Sequence, residues 1–367
     1  VADGFTGIDA SAPGKLLLLG EYAVLAGAPA LVMAVDRRVQ VRLTAIDDGA
    51  AWVHARQLDV DHEPVQWSEA GLQGGPRLER LGMTARLLPL LARECAIRPQ
   101  RLNRIGIEID SAALFAEDPG SANGDTALKL GLGSSGAVTA ALACAFETLA
   151  DDAEASASDR WARWLPRYRE ALGSEGSGAD LAASLAGGLQ LLRPDNGAAA
   201  RIQSGSWPQE LYWRAIWVGM PAQTLDYVAA FRSWAERAPG PAAELLGEMT
   251  ARVESLAASQ AATTWIESFD AYGSLLEQLG TAMGRPVLTV AHLQLRAQAR
   301  SHGLVYKSCG AGGGDLGVVL STDPERLDAF CRVAWSKAAH PLNLTLDPHG
   351  ASARSIGPAS AEPAVIA

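Results

Sequence analysis

Apolar residues alternate with others at Val39-Gln40-Val41-Arg42-Leu43 and at Ile105-Gly106-Ile107-Glu108-Ile109, the period of two that half-buried strands show. Leu16 to Leu19 is a continuous apolar run between glycines, which predicts a buried strand fed by a loop at Ala12-Pro13-Gly14-Lys15. After Gly133 the period lengthens. Val138, Ala141, Leu142, Ala145 and Leu149 recur at spacings of three and four, which predicts an amphipathic helix with Ser134 or Ser135 as its N-cap. Leu304-Val305-Tyr306 and Leu316 to Leu320 predict two strands around a glycine loop, and Leu181 to Leu185 predicts a helix with Asp180 near its start. Long helices fill much of 222–300, broken at Pro239-Gly240-Pro241, whereas Asp151 to Asp159 and Asp195 to Ser206 read as loops. The second of these loops lies mid-chain and sets the expected domain division, 1–200 and 201–367.

The 367 residues are 48% hydrophobic and 20% charged, the composition of a soluble globular protein with room for two domains. A net charge of −10 argues against a general nucleic-acid binder, so an anionic ligand has to be held by local positive charge. Cys95, Cys144, Cys309 and Cys331 show no metal-ligand or paired spacing, which predicts free thiols. No signal-like N-terminus and no apolar run of membrane length appears, and the expected location is the cytoplasm. Trp161, Trp164, Trp207, Trp213, Trp217 and Trp234 are assigned to packing because of the area an indole buries.

Charge becomes informative in its distribution. The chain has four lysines against 27 arginines, and Lys15, Lys129 and Lys307 lie in or beside its three glycine-rich segments. A lysine is a compact point charge that a planar guanidinium does not imitate. The segments are Ala12-Pro13-Gly14-Lys15 with Gly20-Glu21-Tyr22-Ala23-Val24-Leu25, then Lys129 with Gly131-Leu132-Gly133-Ser134-Ser135-Gly136, then Lys307-Ser308-Cys309-Gly310-Ala311-Gly312-Gly313-Gly314-Asp315. Clustered glycines beside lysine and serine are what a phosphate cradle of backbone N–H groups requires. A helix opening directly after the second segment adds the positive end of its dipole.

Gly131 to Gly136 satisfies G-x-G-x-x-G, but so does Gly312 to Gly317, and Asp151 and Asp152 lie in a polar stretch where a dinucleotide fold needs a strand end. The Gly14-Lys15 pair is followed by leucine, which excludes a Walker A loop, and neither a nucleophile elbow nor an H-E-x-x-H zinc site occurs.

In this order the three segments, with Val35-Asp36-Arg37-Arg38-Val39 and Gly178-Ala179-Asp180-Leu181-Ala182, resemble the GHMP small-molecule kinases, and within them the bacterial phosphomevalonate kinases. The resemblance implies an α+β fold of two domains, a ribosomal-protein-S5-like N-terminal ATP-binding domain over 1–200 and a ferredoxin-like C-terminal domain over 201–367. It implies ATP and Mg²⁺ as cofactors and a small phosphorylated acid as acceptor, with no nucleic-acid or membrane partner, in a monomer or homodimer. It assigns Lys129 and Gly131, Leu132, Gly133, Ser134, Ser135 and Gly136 to the nucleotide, Ser135 also to the metal, and Lys15 and Asp180 to catalysis at the acceptor. Glu21, Tyr22, Ser177, Ser308, Gly310, Ala311, Gly312 and Gly313 complete the implied acceptor site. Mevalonate kinases carry a second magnesium-binding acid upstream of the Asp180 position, and here Arg169-Glu170 lies nearby with Glu175 closer still, which leaves that ligand open. A phosphate acceptor also calls for cations against the ATP phosphates, for which Lys129 and Lys307 are the candidates. An alcohol acceptor such as mevalonate or homoserine is the alternative, and a non-catalytic metabolite sensor the more distant one.

Overall fold

The computed structural model describes residues 6–117, 127–152, 155–194, 201–219, 224–334 and 339–357. In chain order come β1 (Gly7–Leu19), β2 (Ala30–Ala45), β3 (Trp52–Ala55), β4 (Val60–Ser68) and β5 (Gly71–Gly74), then helices α1 (Met83–Glu94) and α2 (Pro99–Leu102). β6 (Ile105–Asp110), the β7–β8 pair (Phe115–Glu117, Ala127–Lys129), α3 (Ser134–Leu149), α4 (Ala157–Leu172) and α5 (Ala179–Ala186) follow, with the β9–β10 hairpin (Leu189–Arg193, Arg201–Gly205). The remainder is β11 (Tyr212–Trp217), α6 (Thr224–Arg237), α7 (Pro239–Ala257), α8 (Ala262–Ala282), α9 (Val290–Ser301), β12 (Val305–Cys309), β13 (Leu316–Ser321), α10 (Pro324–Ala334), β14 (His340–Leu342) and β15 (Ser352–Ile356).

The first sheet runs β10-β9-β2-β6-β3-β4-β5, with β1 lying along β2 and β15 along β1. β2 is long enough to serve two partners on its other edge, β9 beside Ala30–Met33 and β6 beside Gln40–Ala45. The second sheet runs β12-β13-β11-β14 and packs against α9 and α10 through Leu295, Ala299, Leu327 and Phe330.

The strands at Leu16–Leu19, Val39–Leu43 and Ile105–Ile109, the paired strands after Leu304 and before Ser321, and the helices of 224–301 lie where the pattern places them. Four expectations are corrected. Ala12-Pro13-Gly14-Lys15 is not a loop but the middle of β1, which pairs with β2 on both sides of a register shift between Pro13 and Gly14. The helix after Gly133 is buried on nearly every side rather than amphipathic, because its Ala137, Ala140, Ala143 and Ala145 are small enough for strands and helices to close over them. Part of Asp151–Asp159 is helical, since Ser156 accepts the Asp159 N–H and starts α4 as its N-cap. In the Asp195–Ser206 stretch, Arg201–Gly205 is a strand, and 195–200 lie outside the described residues.

β10 pairs with β9, and β15 returns from residue 352 to pair with β1, so the first sheet draws strands from both sides of residue 200. The four cysteines are free, three of them buried. Trp161, Trp164, Trp217 and Trp234 are buried in the core, and Trp207 and Trp213 pack against it.

Candidate active site

The bulge in β1 brings its backbone against the second glycine segment. Lys15 N–H donates to Leu132 O at 2.8 Å and Lys15 Nζ to Gly131 O at 3.2 Å. A Cβ on Gly14 would stand 2.9 Å from the same Leu132 oxygen, so a side chain here would push strand and loop apart.

Gly133, at φ +74°, caps α3 in place of the serines, and neither serine hydroxyl closes the helix end. The correction follows from conformation, because the chain enters the helix through the left-handed region that glycine tolerates. Ser134 and Ser135 become the first helical residues. The first intrahelical bond, Ala137 to Gly133 at 3.1 Å, leaves the N–H groups of Ser134, Ser135 and Gly136 ahead of it.

α5 then brings Asp180 to the same place. A Cβ on Gly133 would fall 2.7 Å from Lys15 Cγ and 3.2 Å from Asp180 Cβ, and one on Gly136 would fall 2.7 Å from the Asp180 carbonyl carbon. Lys15, the α3 N-terminus and Asp180 therefore meet at van der Waals distance, and glycine is what permits it. Asp180 lies in the first turn of α5 behind Gly178, its Oδ1 accepting from Leu181 N–H at 2.9 Å. Its Oδ2 accepts from the Tyr168 hydroxyl. Burial, reinforced by Asp180, holds the Tyr168 phenol well above its ordinary pKa, so it stays a donor. Sequence reasoning missed Tyr168. Its spacing from Trp161 and Trp164 marks one apolar stripe on α4, and nothing in that stripe separates the tyrosine from its tryptophan neighbours.

The third segment joins through its end. A Cβ on Gly131 would lie 2.5 Å from Asp315 Cγ, which places the last residue of the glycine loop against the second segment. Gly313 N–H donates to Val287 O at 3.0 Å, and His292 Nε2 donates to Gly314 O at 3.1 Å while its Nδ1 accepts from the Tyr306 hydroxyl at 2.8 Å. Burial pushes the His292 imidazole down to about 4, so it is neutral. Tyr22 reaches this loop from the first segment, its hydroxyl donating to Ala311 O and its ring 5.3 Å from Phe231.

Glu21 and Lys307 are a correction. Both were expected to face the ligands, and both are buried, Glu21 1% and Lys307 0% exposed, as an ion pair with each other. Lys307 also donates to Ser308 O at 2.6 Å and lies 5.4 Å and 5.5 Å from the rings of Phe269 and Tyr272. The Tyr272 hydroxyl donates to Glu21 O at 2.9 Å, and Gly310 N–H points to Glu21 Oε1 at 3.4 Å. Burial pushes the Glu21 carboxyl up, and Lys307 opposes it. The pair thus ties segment one to segment three from behind the site. Ser308 is also buried, and its hydroxyl finds no partner.

Ser177 Oγ accepts from Ala179 N–H at 3.3 Å, and Lys129 is exposed at the end of β8. Arg38 is held by Asp347 at 2.5 Å and by the Gly350 carbonyl at 2.9 Å, and Arg37 by Ala113 O at 3.4 Å. Arg169 donates to Gly176 O at 2.8 Å. Arg169, Glu170 and Glu175 line a cavity of about 880 Å³ together with Leu25, Val228 and Arg232.

No family model matches the chain. It is 29% identical to a phosphomevalonate kinase from Streptomyces sp. (strain CL190), over 91% of this chain and 96% of that protein. It is 26% identical to a mevalonate kinase from Bos taurus, over 86% of each. Streptococcus pneumoniae phosphomevalonate kinase, solved with phosphomevalonate and AMPPNP, superposes at a TM-score of 0.70 with 21% identity, covering 92% of this chain and 99% of that one. These relatives are GHMP kinases, and this chain has their fold. Among the described residues, no helix is long and apolar enough to cross a membrane.

Proposed function

We propose that this chain transfers the γ-phosphoryl group of ATP to 5-phosphomevalonate, giving 5-diphosphomevalonate. The convergence of Lys15, the α3 N-terminus and Asp180 carries the reading. In phosphoryl transfer the protein positions an in-line attack and stabilises charge on the transferring group. The N–H groups of Ser134, Ser135 and Gly136 and the positive end of the α3 dipole suit the ATP phosphates. Lys15 stands over that helix end with its Nζ held on Gly131 O at 3.2 Å, where it can meet charge developing between donor and acceptor. The Gly310–Gly313 backbone, set by Tyr22 and Val287 and followed by Asp315 against Gly131, serves the acceptor in this reading.

Mg²⁺, when bound, neutralises phosphate charge. The Ser135 hydroxyl and the Asp180 carboxylate are hard oxygen donors of the type it takes, and few protein ligands suffice because it keeps its waters.

A phosphate monoester is mostly a dianion at pH 7, with a second pKa of about 6, so its oxygen attacks without a base. Asp180 then orients Lys15, and its own carboxylate is held by Tyr168 and Leu181 N–H. Lys129, exposed beside the nucleotide loop, supplies further positive charge against the two anions. The identity to a phosphomevalonate kinase over nearly the whole chain supports this acceptor. The likeness to a mevalonate kinase favours the second reading, an alcohol acceptor with Asp180 as general base.

The test is coupled ADP release with MgATP and, separately, 5-phosphomevalonate, mevalonate and homoserine. Turnover confined to 5-phosphomevalonate supports the proposal, turnover on mevalonate replaces it with the alcohol kinase, and no turnover with any acceptor leaves the sensor reading.

A further inference from the structure

On the face of the first sheet formed by β3 and β4, the side chains of His54, Asp61 and His62 converge, with one potential ligand atom from each lying within 4.8 Å of the others. Adjacent strand residues normally point to opposite faces, so Asp61 and His62 would not be expected side by side. A bulge produces the arrangement. Val53 pairs with Glu63 and Ala55 with Val60, which sets two residues, Asp61 and His62, opposite the single residue His54. His62 takes up the extra residue with φ +42°, in the left-handed region. Its ring is then held 4.5 Å from Trp52 and 4.6 Å from His54.

We infer that His54, Asp61 and His62 form a binding site for a divalent transition-metal ion of the zinc class. His54 Nδ1 and His62 Nδ1 lie 3.1 Å and 2.7 Å from the same oxygen, Asp61 Oδ1. Two donors each about 2.1 Å from one ion stand about 3.0 Å apart at octahedral angles and about 3.4 Å apart at tetrahedral ones. Each imidazole nitrogen is therefore near the spacing of a co-ligand of Asp61 Oδ1, and an ion would take the place of the Nδ1 protons that otherwise bridge them. Each neutral imidazole then carries its proton on Nε2 and presents the Nδ1 lone pair, so binding needs only a tautomer change. Two imidazoles and one carboxylate match zinc, nickel and copper better than magnesium, which prefers oxygen donors alone. Three protein ligands leave the remaining positions to water, because Asp61 and His62 are exposed at 72% and 59% of their side chains. The site stands apart from Lys15 and Asp180, and a kinase assay alone would not reveal it.

Calorimetric titration of the chelator-treated full chain with ZnCl₂ tests the inference, alongside Asp61→Asn and His62→Gln. Both positions are exposed, so each variant should fold, and MgATP-dependent turnover and a thermal melt in chelator confirm that it has. The expected result is one zinc ion per chain, bound at least about tenfold more weakly in each variant, with a zinc-dependent rise in melting temperature that the variants lose. Cobalt substitution should give a spectrum without thiolate charge-transfer bands, separating this site from the cysteines. Zinc binding that is absent, or that is unchanged in both variants, overturns the inference.

Discussion

Replacing Lys307 by methionine tests whether the buried pair behind the glycine loop holds the site in place. Methionine keeps an unbranched side chain and removes the charge, its hydrogen bonds and the ammonium that lies 5.4 Å and 5.5 Å from the rings of Phe269 and Tyr272. Glu21 is then left 1% exposed, with Oε2 already lacking a partner and Oε1 near the Gly310 N–H at 3.4 Å. Breaking a buried ion pair from one side costs about 3–5 kcal/mol, because the other charge stays desolvated. The matching Glu21→Gln/Lys307→Met double variant removes both charges together and should recover most of that loss, leaving it more stable than either single variant. Urea denaturation of the wild type, both single variants and the double variant gives the cycle. The single Lys307 variant should also lose turnover beyond its loss of stability, because the pair joins Glu21 to the loop that begins at Gly310. A Lys307→Met protein within about 1 kcal/mol of wild type, well below the range for a broken buried pair, would refute the reasoning. A double variant as unstable as the sum of the singles would do the same.

Three further outcomes follow from the site. Gly136→Ala places a Cβ 2.7 Å from the Asp180 backbone, so α3 and α5 must separate, and kcat/KM should fall about a hundredfold, as for a misplacement near 1 Å; a fall under threefold would show that Asp180 and the helix end need not touch. Tyr168→Phe removes the hydroxyl that holds Asp180 Oδ2 and should lower kcat about tenfold with KM for ATP unchanged, the worth of one charge-assisted hydrogen bond; an unchanged kcat would make that bond incidental. His292 has its folded pKa lowered by burial to about 4 from 6.5, so its stabilisation is complete above pH 6.5 and is lost as pH falls toward 4, by about 3 kcal/mol in all. Unfolding free energies measured across that window should decline less steeply in His292→Gln than in wild type, and parallel curves would contradict the assignment.

The elements that place the site were largely legible because they follow the side-chain period. Strands β2, β6, β12 and β13 and helix α3 stand where alternation or helical spacing puts them. Gly133 and Gly136 stand in a segment that reads as a candidate phosphate cradle, but their closeness to Asp180 comes from how α5 packs on α3, and a missing Cβ in the sequence does not say what fills its place. Lys307 shows the limit most clearly. A lysine beside glycines reads as a ligand for phosphate, and its burial depends on Glu21, which lies 286 residues away. Tyr168 was hidden for the opposite reason, since its hydroxyl emerges from a stripe that is otherwise core. The bulged hairpin at His54 was invisible because one extra residue in β4 changes which face the histidines share.

The most direct test of the central claim is ³¹P NMR of the reaction of the chain with MgATP and 5-phosphomevalonate. Attack by the acceptor phosphate predicts two mutually coupled signals of a diphosphate ester, formed as ADP forms and absent with Lys15→Met. A product with two uncoupled phosphate-ester signals, which would place the new group on a carbon-bound hydroxyl, would contradict the account, as would no transfer at all.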